Sequence, residues 1–554
     1  MIMPSLSPRA GLSLMTMCLL LSARATAQSS DPSQINDMLN PAIGSSVTHY
    51  KISPDGQHVV YRVDAVADQL FELYSVSIAG GTATKLNPTL TSGGDVGDAP
   101  DDFLISADSQ TVVYRADQES DNRFELYSVP IAGGPVTKLN PTLVANGDVF
   151  AFFKVSADSA NVVYVGTQET ADVVELFSVP IAGGTSTKLN PALVLNGDIV
   201  EFQISPDSSR VVYRADQVTN DVTELFSVPI TGGAADKLNP TLVLNGGVVG
   251  GGYQISPDSS WVVYLADQVT DTVNELFSVP ITGGSAERLN PALVAGGGVE
   301  NNFTISSDSA RVVFITDHNI DDTFELLSAP VGGGIAVSLN PTLAAGGDVQ
   351  EFSIAQNSAD VIYLADQNFD AVDELFVVNI SGGSVTRLNA ELISGGSVQS
   401  GFQSNGGASQ VFYLADQNTD NVTELYSVAI NGGAPRKLNQ NLIANGDVTT
   451  FYISPDGSKA FYLADQETDD LLELYAVWID GVDEQSRKVN SSLPAGGNVD
   501  QFSVTENSQY LVYMADQTFV NQMELFSAKL NTRPNDELCT AVKATNGNVV
   551  IFCL

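Results

Sequence analysis

Residues 201–239 read EFQISPDSSRVVYRADQVTNDVTELFSVPITGGAADKLN, and this stretch decides the fold. It contains four short segments with strand character, EFQIS, RVVYRAD, ELFSVPI and DKLN, separated by PDSS, QVTND and TGG. Proline presets φ, aspartate bonds its own backbone and glycine tolerates positive φ, so each separator predicts a turn. The second and third segments are almost continuously apolar, which indicates strands that are buried on both faces.

The same unit occurs ten times, and no linker interrupts the series. The aromatic residues of the VVY segment lie 49 to 53 residues apart. They are Tyr61, Tyr114, Tyr164, Tyr213, Tyr264, Phe314, Tyr363, Tyr413, Tyr462 and Tyr513. Four antiparallel strands in each repeat are typical of a β-propeller blade. We therefore expect an all-β fold, a single propeller of about ten four-stranded blades.

The two ends of the series predict how the ring closes. Segment 35–40, INDMLN, resembles an isolated fourth strand ahead of the first unit, whereas the tenth unit ends after its third strand. Joined, they complete one blade and remove the exposed edges of an open sheet. We predict a short leader at 28–34 and the propeller at 35–531. Two smaller rings are the alternative, and the C-terminal segment could compete for the same edge.

The N-terminus has the layout of a cleaved signal peptide at 1–27, with Arg9, an apolar run at 10–21 and a small-residue site ending at Ala27. No later stretch approaches the roughly 20 apolar residues that a transmembrane helix needs. We therefore expect an exported protein, periplasmic or extracellular, that does not insert into a membrane.

The C-terminal tail, 532–554, carries Cys539 and Cys553. The residues between them look like a hairpin that turns at Asn546 and Gly547. In an oxidising compartment we expect the two cysteines to form a disulfide, which would stabilise by roughly 3 kcal/mol in the chain-entropy model.

The net charge limits the partners. It is −41 for the precursor, and loss of Arg9 and Arg24 with the signal peptide takes it to −43. Such an excess of acid repels phosphate backbones, which excludes nucleic acid and anionic membranes as partners. Cations and basic protein surfaces fit the charge. Adaptation to a salty medium is the alternative explanation, and we expect a monomer.

The motif ISPDG at Ile52 and Ile453, with ISPDSS at Ile204 and Ile255 and the recurring ELF or ELY segments, resembles the WD-repeat-like propeller repeat of TolB-type periplasmic proteins. Similar blades occur in dipeptidyl peptidase IV and prolyl oligopeptidase relatives. The resemblance covers nearly the whole mature chain and implies the fold. The leader is too short for the α/β domain of TolB-type proteins, and the 23 residues after 531 are too few for a hydrolase domain. No G-x-S-x-G motif is present, so neither activity is expected to transfer.

An Asp-x3-Asp-x3-Glu triplet recurs between the second and third strands. The first aspartate ends one strand and the glutamate begins the next, so like charges face each other and must be offset. Backbone N–H groups of the loop could satisfy both carboxylates, and this is the interpretation we favour. The alternative is calcium, which needs 6 to 8 oxygen ligands. The candidate ligands are Asp267, Asp271 and Glu275 in the fifth unit, Asp416, Asp420 and Glu424 in the eighth, and Asp465, Asp469 and Glu473 in the ninth.

The triplet loops and the Gly-Asp-Val segments between units should lie on the same face of the ring, which predicts an acidic face. The recurring lysine or arginine before LN falls on the outermost strand, where we interpret it as protection against edge pairing. The three histidines, His49, His58 and His318, occupy different positions in their repeats, so no catalytic residues are predicted.

Three functions fit these observations. The first is a non-enzymatic binding or scaffold protein that recognises a partner protein or an extracellular polymer through the acidic face or the central channel. The second is a lyase or hydrolase that depends on carboxylates and calcium. The third is a surface or matrix component whose acidity gathers cations.

Overall fold

Ten four-stranded antiparallel sheets follow one another between Asp31 and Leu530, in a computed structural model. The structure describes residues 32–36, 45–67, 69–481 and 485–530, and the backbone of residues 541–543 and 549–551. The sheets are the blades of a single β-propeller, as predicted from the repeat. We number the blades 1 to 10 in chain order and name their strands a to d in the order in which they pair.

Strands a and b form the first hairpin of each blade. Strands a are Val47–Ile52, Phe103–Ile105, Val149–Val155, Ile199–Ile204, Val248–Ile255, Val299–Ile305, Val349–Ile354, Gln403–Ser404, Val448–Ile453 and Val499–Val504. Strands b are His58–Val63, Thr111–Ala116, Asn161–Gly166, Arg210–Ala215, Trp261–Ala266, Arg311–Thr316, Asp360–Ala365, Gln410–Ala415, Lys459–Ala464 and Tyr510–Ala515.

Strands c and d complete each blade. Strands c are Glu72–Ser77, Glu125–Pro130, Glu175–Pro180, Glu224–Pro229, Glu275–Pro280, Glu325–Pro330, Glu374–Asn379, Glu424–Ala429, Glu473–Trp478 and Glu524–Lys529. Strands d are the two-residue segments Thr84–Lys85, Thr137–Lys138, Thr187–Lys188, Asp236–Lys237, Glu287–Arg288, Val337–Ser338, Thr386–Arg387, Arg436–Lys437, Arg487–Lys488 and, for blade 10, Ser33–Gln34.

The hydrophobic core lies between adjacent blades. In blade 4, Tyr213 of strand b pairs with Phe226 of strand c, and their rings stack with centroids 5.4 Å apart. Both side chains are buried against Val163 and Leu176 of blade 3. An aromatic pair of this kind contributes about 0.5–1.5 kcal/mol beyond the area it buries. Because strands b and c contact a neighbouring blade on both faces, their apolar residues do not alternate with polar ones.

Strand a is innermost and strand d outermost. Strands a of neighbouring blades contact each other, since Gln203 Nε2 donates to the carbonyl oxygen of Tyr253 at 3.0 Å and Gln254 Nε2 to that of Phe303 at 2.6 Å. Each strand d pairs only with strand c of its own blade. The central channel is therefore bordered by the ten strands a.

Blade 10 takes its fourth strand from the N-terminal end of the described chain, and this closes the ring. Ser33 pairs with Ser527 and Gln34 with Phe526. The predicted segment, 35–40, placed the asparagine after this strand at Asn40, four residues beyond its position in the structure. In the other blades the side chain of the asparagine that follows strand d accepts the N–H of the second residue of strand c, as Asn140 does from Leu126 at 2.8 Å. Here Asn36 accepts from Leu525 at 3.0 Å, so the matching motif is SQIN at 33–36.

A second unit contains the antiparallel pair Ala541–Lys543 and Val549–Ile551, within the tail for which a hairpin was predicted. Cys539, Cys553, the turn at Asn546 and Gly547, and the signal peptide at 1–27 lie outside the described residues. Nowhere in the described part of the chain does a helix reach the length and apolarity that a membrane crossing requires.

Candidate functional site

Three kinds of segment meet on one side of the ring, which we call the loop face. They are the loops between strands b and c, the loops that connect successive blades, and the first residues of strands a. Hydrogen bonds tie them together: the N–H of Val248, which begins strand a of blade 5, donates to the carbonyl oxygen of Thr223, in the b–c loop of blade 4, at 2.9 Å. The opposite face carries the a–b turns and the c–d turns.

The first aspartate of the triplet shapes the b–c loop, as the turn interpretation predicts. Asp216 Oδ1 accepts the N–H of Asp198 at 2.6 Å, and Oδ2 accepts the N–H of Asp221 at 3.1 Å. Both contacts recur at Asp117, Asp267, Asp317, Asp366, Asp416, Asp465 and Asp516. In blade 3, Thr167 supplies one of them, because its Oγ1 accepts the N–H of Asp148 at 2.9 Å.

The Gly-Asp-Val aspartates connect one blade to the next. Asp198 Oδ1 accepts the N–H of Val174, which precedes the strand-c glutamate of blade 3, at 2.7 Å. Its own N–H donates to Asp216 in blade 4, so this residue links both blades. The same acceptor role falls to Asp95, Asp148, Asp348, Asp447 and Asn498. These side chains are therefore part of the framework.

The strand-c glutamate is buried and paired with the cation of strand d. Glu275 is 4% exposed, and its Oε1 lies 2.8 Å from Arg288 Nη1. Equivalent pairs are Glu72–Lys85, Glu125–Lys138, Glu175–Lys188, Glu224–Lys237, Glu374–Arg387, Glu424–Lys437 and Glu473–Lys488. From the sequence we interpreted this cation as protection against edge pairing, and its ion pair with the glutamate was not predicted. A spacing of 13 residues between opposite charges, repeated in seven units, was the available signal.

The candidate calcium ligands of blade 5 have these same partners. Asp267 accepts the N–H groups of Gly247 and Thr272, at 2.6 and 3.1 Å. Asp271 is exposed and accepts Asn245 Nδ2 at 3.3 Å, while Glu275 holds Arg288. In blades 8 and 9, Asp420 and Asp469 are likewise exposed, Asp416 and Asp465 accept backbone N–H groups, and Glu424 and Glu473 pair with lysines. Calcium binding at these triplets stays a prediction.

One other group of carboxylates converges within the described residues. Oxygens of Asp317, Asp321 and Asp322, in blade 6, lie within 4.8 Å of one another. Blade 6 also departs from the repeat nearby: His318 replaces the usual glutamine, and its Nδ1 lies 3.4 Å from Glu325 Oε2. These three aspartates are not one of the predicted triplets.

A small cavity accompanies the changes in blade 6. Ser338 stands where the d strands of blades 1 to 5 and 7 to 9 carry lysine or arginine, so Glu325 has no cation on strand d. A cavity of about 430 Å³ lies between this strand and blade 7, where Gln367, Phe376 and Arg387 line it.

The length of the repeat varies at the mouth of the channel. In blade 4, Val200 and Glu201 separate Ile199, which pairs with Ala215, from Phe202, which pairs with Tyr213. We call the residues between these two positions the mouth segment. It has two residues in blades 1, 4, 7, 9 and 10, three in blades 3, 6 and 8, four in blade 5 and six in blade 2.

These differences account for the uneven spacing of the repeat. The interval that ends at blade 2 is the longest and that blade has the longest mouth segment. The interval between blades 9 and 10 has a different cause, a longer loop between strands c and d of blade 9. In that blade Leu474 and the asparagine that accepts its N–H, Asn490, are 16 residues apart, whereas the equivalent residues of blade 8 are 14 apart. Nearly all variation in length therefore lies on the innermost strand, at the loop face.

The mouth segment of blade 2 is held by three ion pairs. Asp98 lies 2.9 Å from Arg62 and Asp101 lies 2.7 Å from Lys51, both in blade 1. Asp102, which is fully buried, bonds Arg115 at 2.7 Å. A Cβ atom at position 97 would lie 2.2 Å from Asp102 Oδ2, so only glycine fits there.

His49 lies beside these ion pairs, on strand a of blade 1, directly across from Arg62 on strand b. Burial, followed by the nearby Arg62 guanidinium, lowers the pKa of this histidine. The topology predicted from the sequence did not show that His49 and Asp98 lie close together.

No protein-family model matches the chain, and no curated protein matches it. Solved structures that resemble it include a putative TolB from Agrobacterium tumefaciens, with 19% identity, 46% of this chain and 83% of that chain covered, and a TM-score of 0.28. An oligogalacturonate lyase from Vibrio parahaemolyticus has 14% identity, 71% and 99% coverage, and a TM-score of 0.34. A dipeptidyl peptidase 4 from Porphyromonas gingivalis has 13% identity, 88% and 59% coverage, and a TM-score of 0.39. Proteins of TolB and dipeptidyl peptidase type, which the repeat resembles in sequence, are thus among these structures.

Proposed function

We propose that this chain is an exported, non-enzymatic β-propeller that binds a partner protein or an extracellular polymer through the loop face and the mouth of its channel. The observation that carries the proposal is the location of the variable segments. The framework contacts repeat from blade to blade, whereas the mouth segments differ in length and in side chains. A rigid scaffold with variable segments gathered at one opening is the arrangement that recognition requires.

The chemistry of the mouth differs around the ring. Exposed Phe150 and Val200 occupy the first mouth position in blades 3 and 4, whereas Glu300 and Asp500 occupy it in blades 6 and 10. A ligand at the mouth would therefore meet an apolar arc on one side and a polar, acidic arc on the other. Such asymmetry fixes the orientation of a ligand, which a ring of identical blades could not do.

The framework carboxylates do not resemble a reaction centre. The first aspartates accept two backbone N–H groups each, and the glutamates are neutralised by lysine or arginine. A general acid or base needs a carboxyl group free to exchange a proton with a substrate. This supports binding over catalysis for the repeated positions.

Binding is tested with the mature chain, from residue 28, on an array of extracellular polysaccharides and by cross-linking to envelope and secreted proteins. Removal of Gly250 and Gly251 shortens the mouth segment of blade 5 to the length found in blade 4. We expect this variant to lose the captured ligand. The matched control is Ile335→Ala on the opposite face, which should retain it. If both variants capture the ligand equally, the mouth of the channel is not part of the binding site.

Export has a separate test. We propose cleavage after Ala27 and a periplasmic or extracellular location. The N-terminal sequence of the protein recovered from the envelope and the medium decides this, and a chain that keeps residues 1–27 would contradict it.

A lyase or hydrolase that uses carboxylates and calcium is the second candidate, and blade 6 favours it. Asp317, Asp321 and Asp322 converge beside His318 and Glu325, in a blade that departs from the repeat at His318 and Ser338. Incubation with the same polysaccharides, with and without calcium, tests it by product analysis. Turnover that disappears in Asp321→Asn and His318→Gln would replace the binding function with an enzymatic one.

A further inference from the structure

Most of the exposed large apolar side chains among the described residues lie on the loop face. Val66 in blade 1, Ile393 in the loop that follows blade 7, and Phe519 and Val520 in blade 10 are exposed there. Eight more are grouped on blades 3 to 7, with exposed fractions from 41% to 86%: Phe150, Leu195, Val200, Val218, Leu244, Val269, Ile320 and Phe369. Blades 2 and 9 have none among their described residues on this face. We call these eight residues the apolar sector. Soluble proteins rarely expose apolar groups together unless they bind something.

The sector is built from neighbouring segments. Val194, next to Leu195, donates its N–H to the carbonyl oxygen of Gln217, next to Val218, at 3.3 Å. In blade 5, Asn245, next to Leu244, donates through Nδ2 to Asp271 at 3.3 Å. In blades 4 and 5 the interblade loop and the b–c loop therefore place their apolar side chains side by side.

The apolar residues are not required by the fold. The position of Val218 and Val269 is occupied by Glu119 and Glu169 in blades 2 and 3, and by Glu467 in blade 9. The position of Leu195 and Leu244 is alanine or serine in other blades, with the same loop conformation; these residues are Ala145, Ala295, Ala345, Ser394, Ala444 and Ala495. The framework thus tolerates polar or small side chains at these points, so packing within the ring does not explain the leucines and valines.

Carboxylates surround the sector. The exposed acidic residues of the same loops are Asp221, Asp271, Asp321, Asp322 and Asp370. A partner that covers the sector must bury apolar groups and meet negative charge at the edges. The net charge of −43 opposes a second copy of this chain as the occupant, because two acidic faces repel each other.

We propose that the apolar sector docks a protein segment in which apolar side chains alternate with lysine or arginine. This inference rests on the proposed function and names the partner class for the loop face. Leucine or valine side chains of the partner would pack on the sector, while its cations would pair with the surrounding carboxylates. Electrostatic attraction would speed association, and apolar burial would slow dissociation.

The test uses labelled synthetic peptides of equal length and measures their binding to the mature chain by fluorescence anisotropy. One peptide alternates leucine and lysine, one serine and lysine, and one leucine and glutamate, and a chitosan oligomer serves as a cationic polymer without apolar side chains. We expect the leucine-lysine peptide to bind at least about tenfold more tightly than the other three, because only it satisfies both features of the surface.

The decisive variant combines Leu195→Ala, Leu244→Ala, Val218→Glu and Val269→Glu, each a residue that another blade carries at that position. The two glutamates add negative charge, so binding by charge alone would become tighter. Docking on the sector predicts the opposite, a loss of about tenfold or more. The matched controls, Phe519→Ser on the same face in blade 10 and Ile335→Ala on the opposite face, should change affinity less than about twofold.

Other outcomes count against the proposal. Failure of the wild-type chain to bind the leucine-lysine peptide, or unchanged binding by the fourfold variant, would overturn it. Equal binding of chitosan and the peptide would assign the face to a cationic polymer. If the fourfold variant binds the peptide normally but removal of Gly250 and Gly251 abolishes capture of the natural ligand, the sector inference fails while the proposed function stands. Loss through Ile335→Ala alone would overturn both.

Discussion

The backbone N–H of Asp198 donates to Oδ1 of Asp216 over 2.6 Å. Because the Asp198 side chain also accepts the N–H of Val174 in the preceding blade, one residue couples the loop of blade 4 to the start of strand c in blade 3. Repetition of this contact around the ring gives the loop face a rigid base. The recurring aspartates are thus explained by blade-to-blade attachment, before any ligand is considered.

Replacement of Asp198 tests this attachment. Asp198→Ala leaves the N–H of Val174 without its acceptor, and we expect a loss of about 1–2 kcal/mol in stability. Asp198→Asn should stay close to wild type, because Asn498 accepts the N–H of Leu472 at 2.8 Å at the same position. Urea unfolding followed by circular dichroism measures both. Equal destabilisation by the two substitutions would mean that the charge, rather than the acceptor oxygen, matters.

The buried pair of Lys437 and Glu424 gives a second prediction. In the wild type, Lys437 Nζ lies 2.6 Å from Glu424 Oε1, and the Glu424 side chain is 9% exposed. Lys437→Met leaves this carboxylate without its cation. We expect a loss of about 2 kcal/mol, below the usual cost of breaking a fully buried pair because the lysine is partly exposed.

Glu424→Gln combined with Lys437→Met serves as the control for that pair. Since the double variant removes both charges, it should recover part of the lost stability. If the single and double variants unfold at the same urea concentration, the ion pair does not stabilise the blade.

The fold was predictable from the sequence because every level of the repeat agrees: four strand-like segments, their turns, and apolar runs in strands b and c. The register of the closing strand was wrong by four residues because Asn40 imitates the asparagine after strand d, and only the hydrogen bond from Leu525 to Asn36 settles the register. The site was less predictable. The pair of Lys437 and Glu424 had a sequence signal, the recurring spacing of 13 residues, which was not used because the cation was interpreted as protection of an edge. The contact between the mouth segment of blade 2 and blade 1 depends on a distance that the linear pattern does not show.

High pH is expected to unfold the propeller. Burial raises the pKa of Tyr213, Tyr264 and Tyr363 well above the ordinary value of about 10. A group whose pKa is higher in the folded state contributes stability that is complete below pH 10 and declines as the pH rises toward the folded value. The ultraviolet absorbance of tyrosinate and circular dichroism should therefore change together above that pH. Ionisation of these tyrosines with the sheet signal intact would contradict the prediction.

The disulfide between Cys539 and Cys553 stays a prediction of the sequence. Peptide mapping of the exported protein under non-reducing conditions should recover one cross-linked peptide that contains both residues. Alkylation of both thiols in the protein as isolated would exclude the bridge. The alanine variant of either cysteine should lower the resistance of the tail to protease and leave the unfolding of the blades unchanged, because the tail does not belong to the unit that contains the blades.

A measurement of calcium binding distinguishes the two explanations of the triplets, loop shaping and metal ligation. Asp267 already accepts two backbone N–H groups and Glu275 is paired with Arg288, so only the exposed Asp271 of blade 5 is available to an ion without rearrangement. A single carboxylate provides too few of the 6 to 8 oxygens that calcium needs. We therefore expect calorimetry of the mature chain to show no uptake that depends on Asp271, Asp420 or Asp469. Uptake that disappears when these three are replaced by asparagine would establish calcium at the triplets, whereas uptake lost only in Asp321→Asn would place the ion in blade 6.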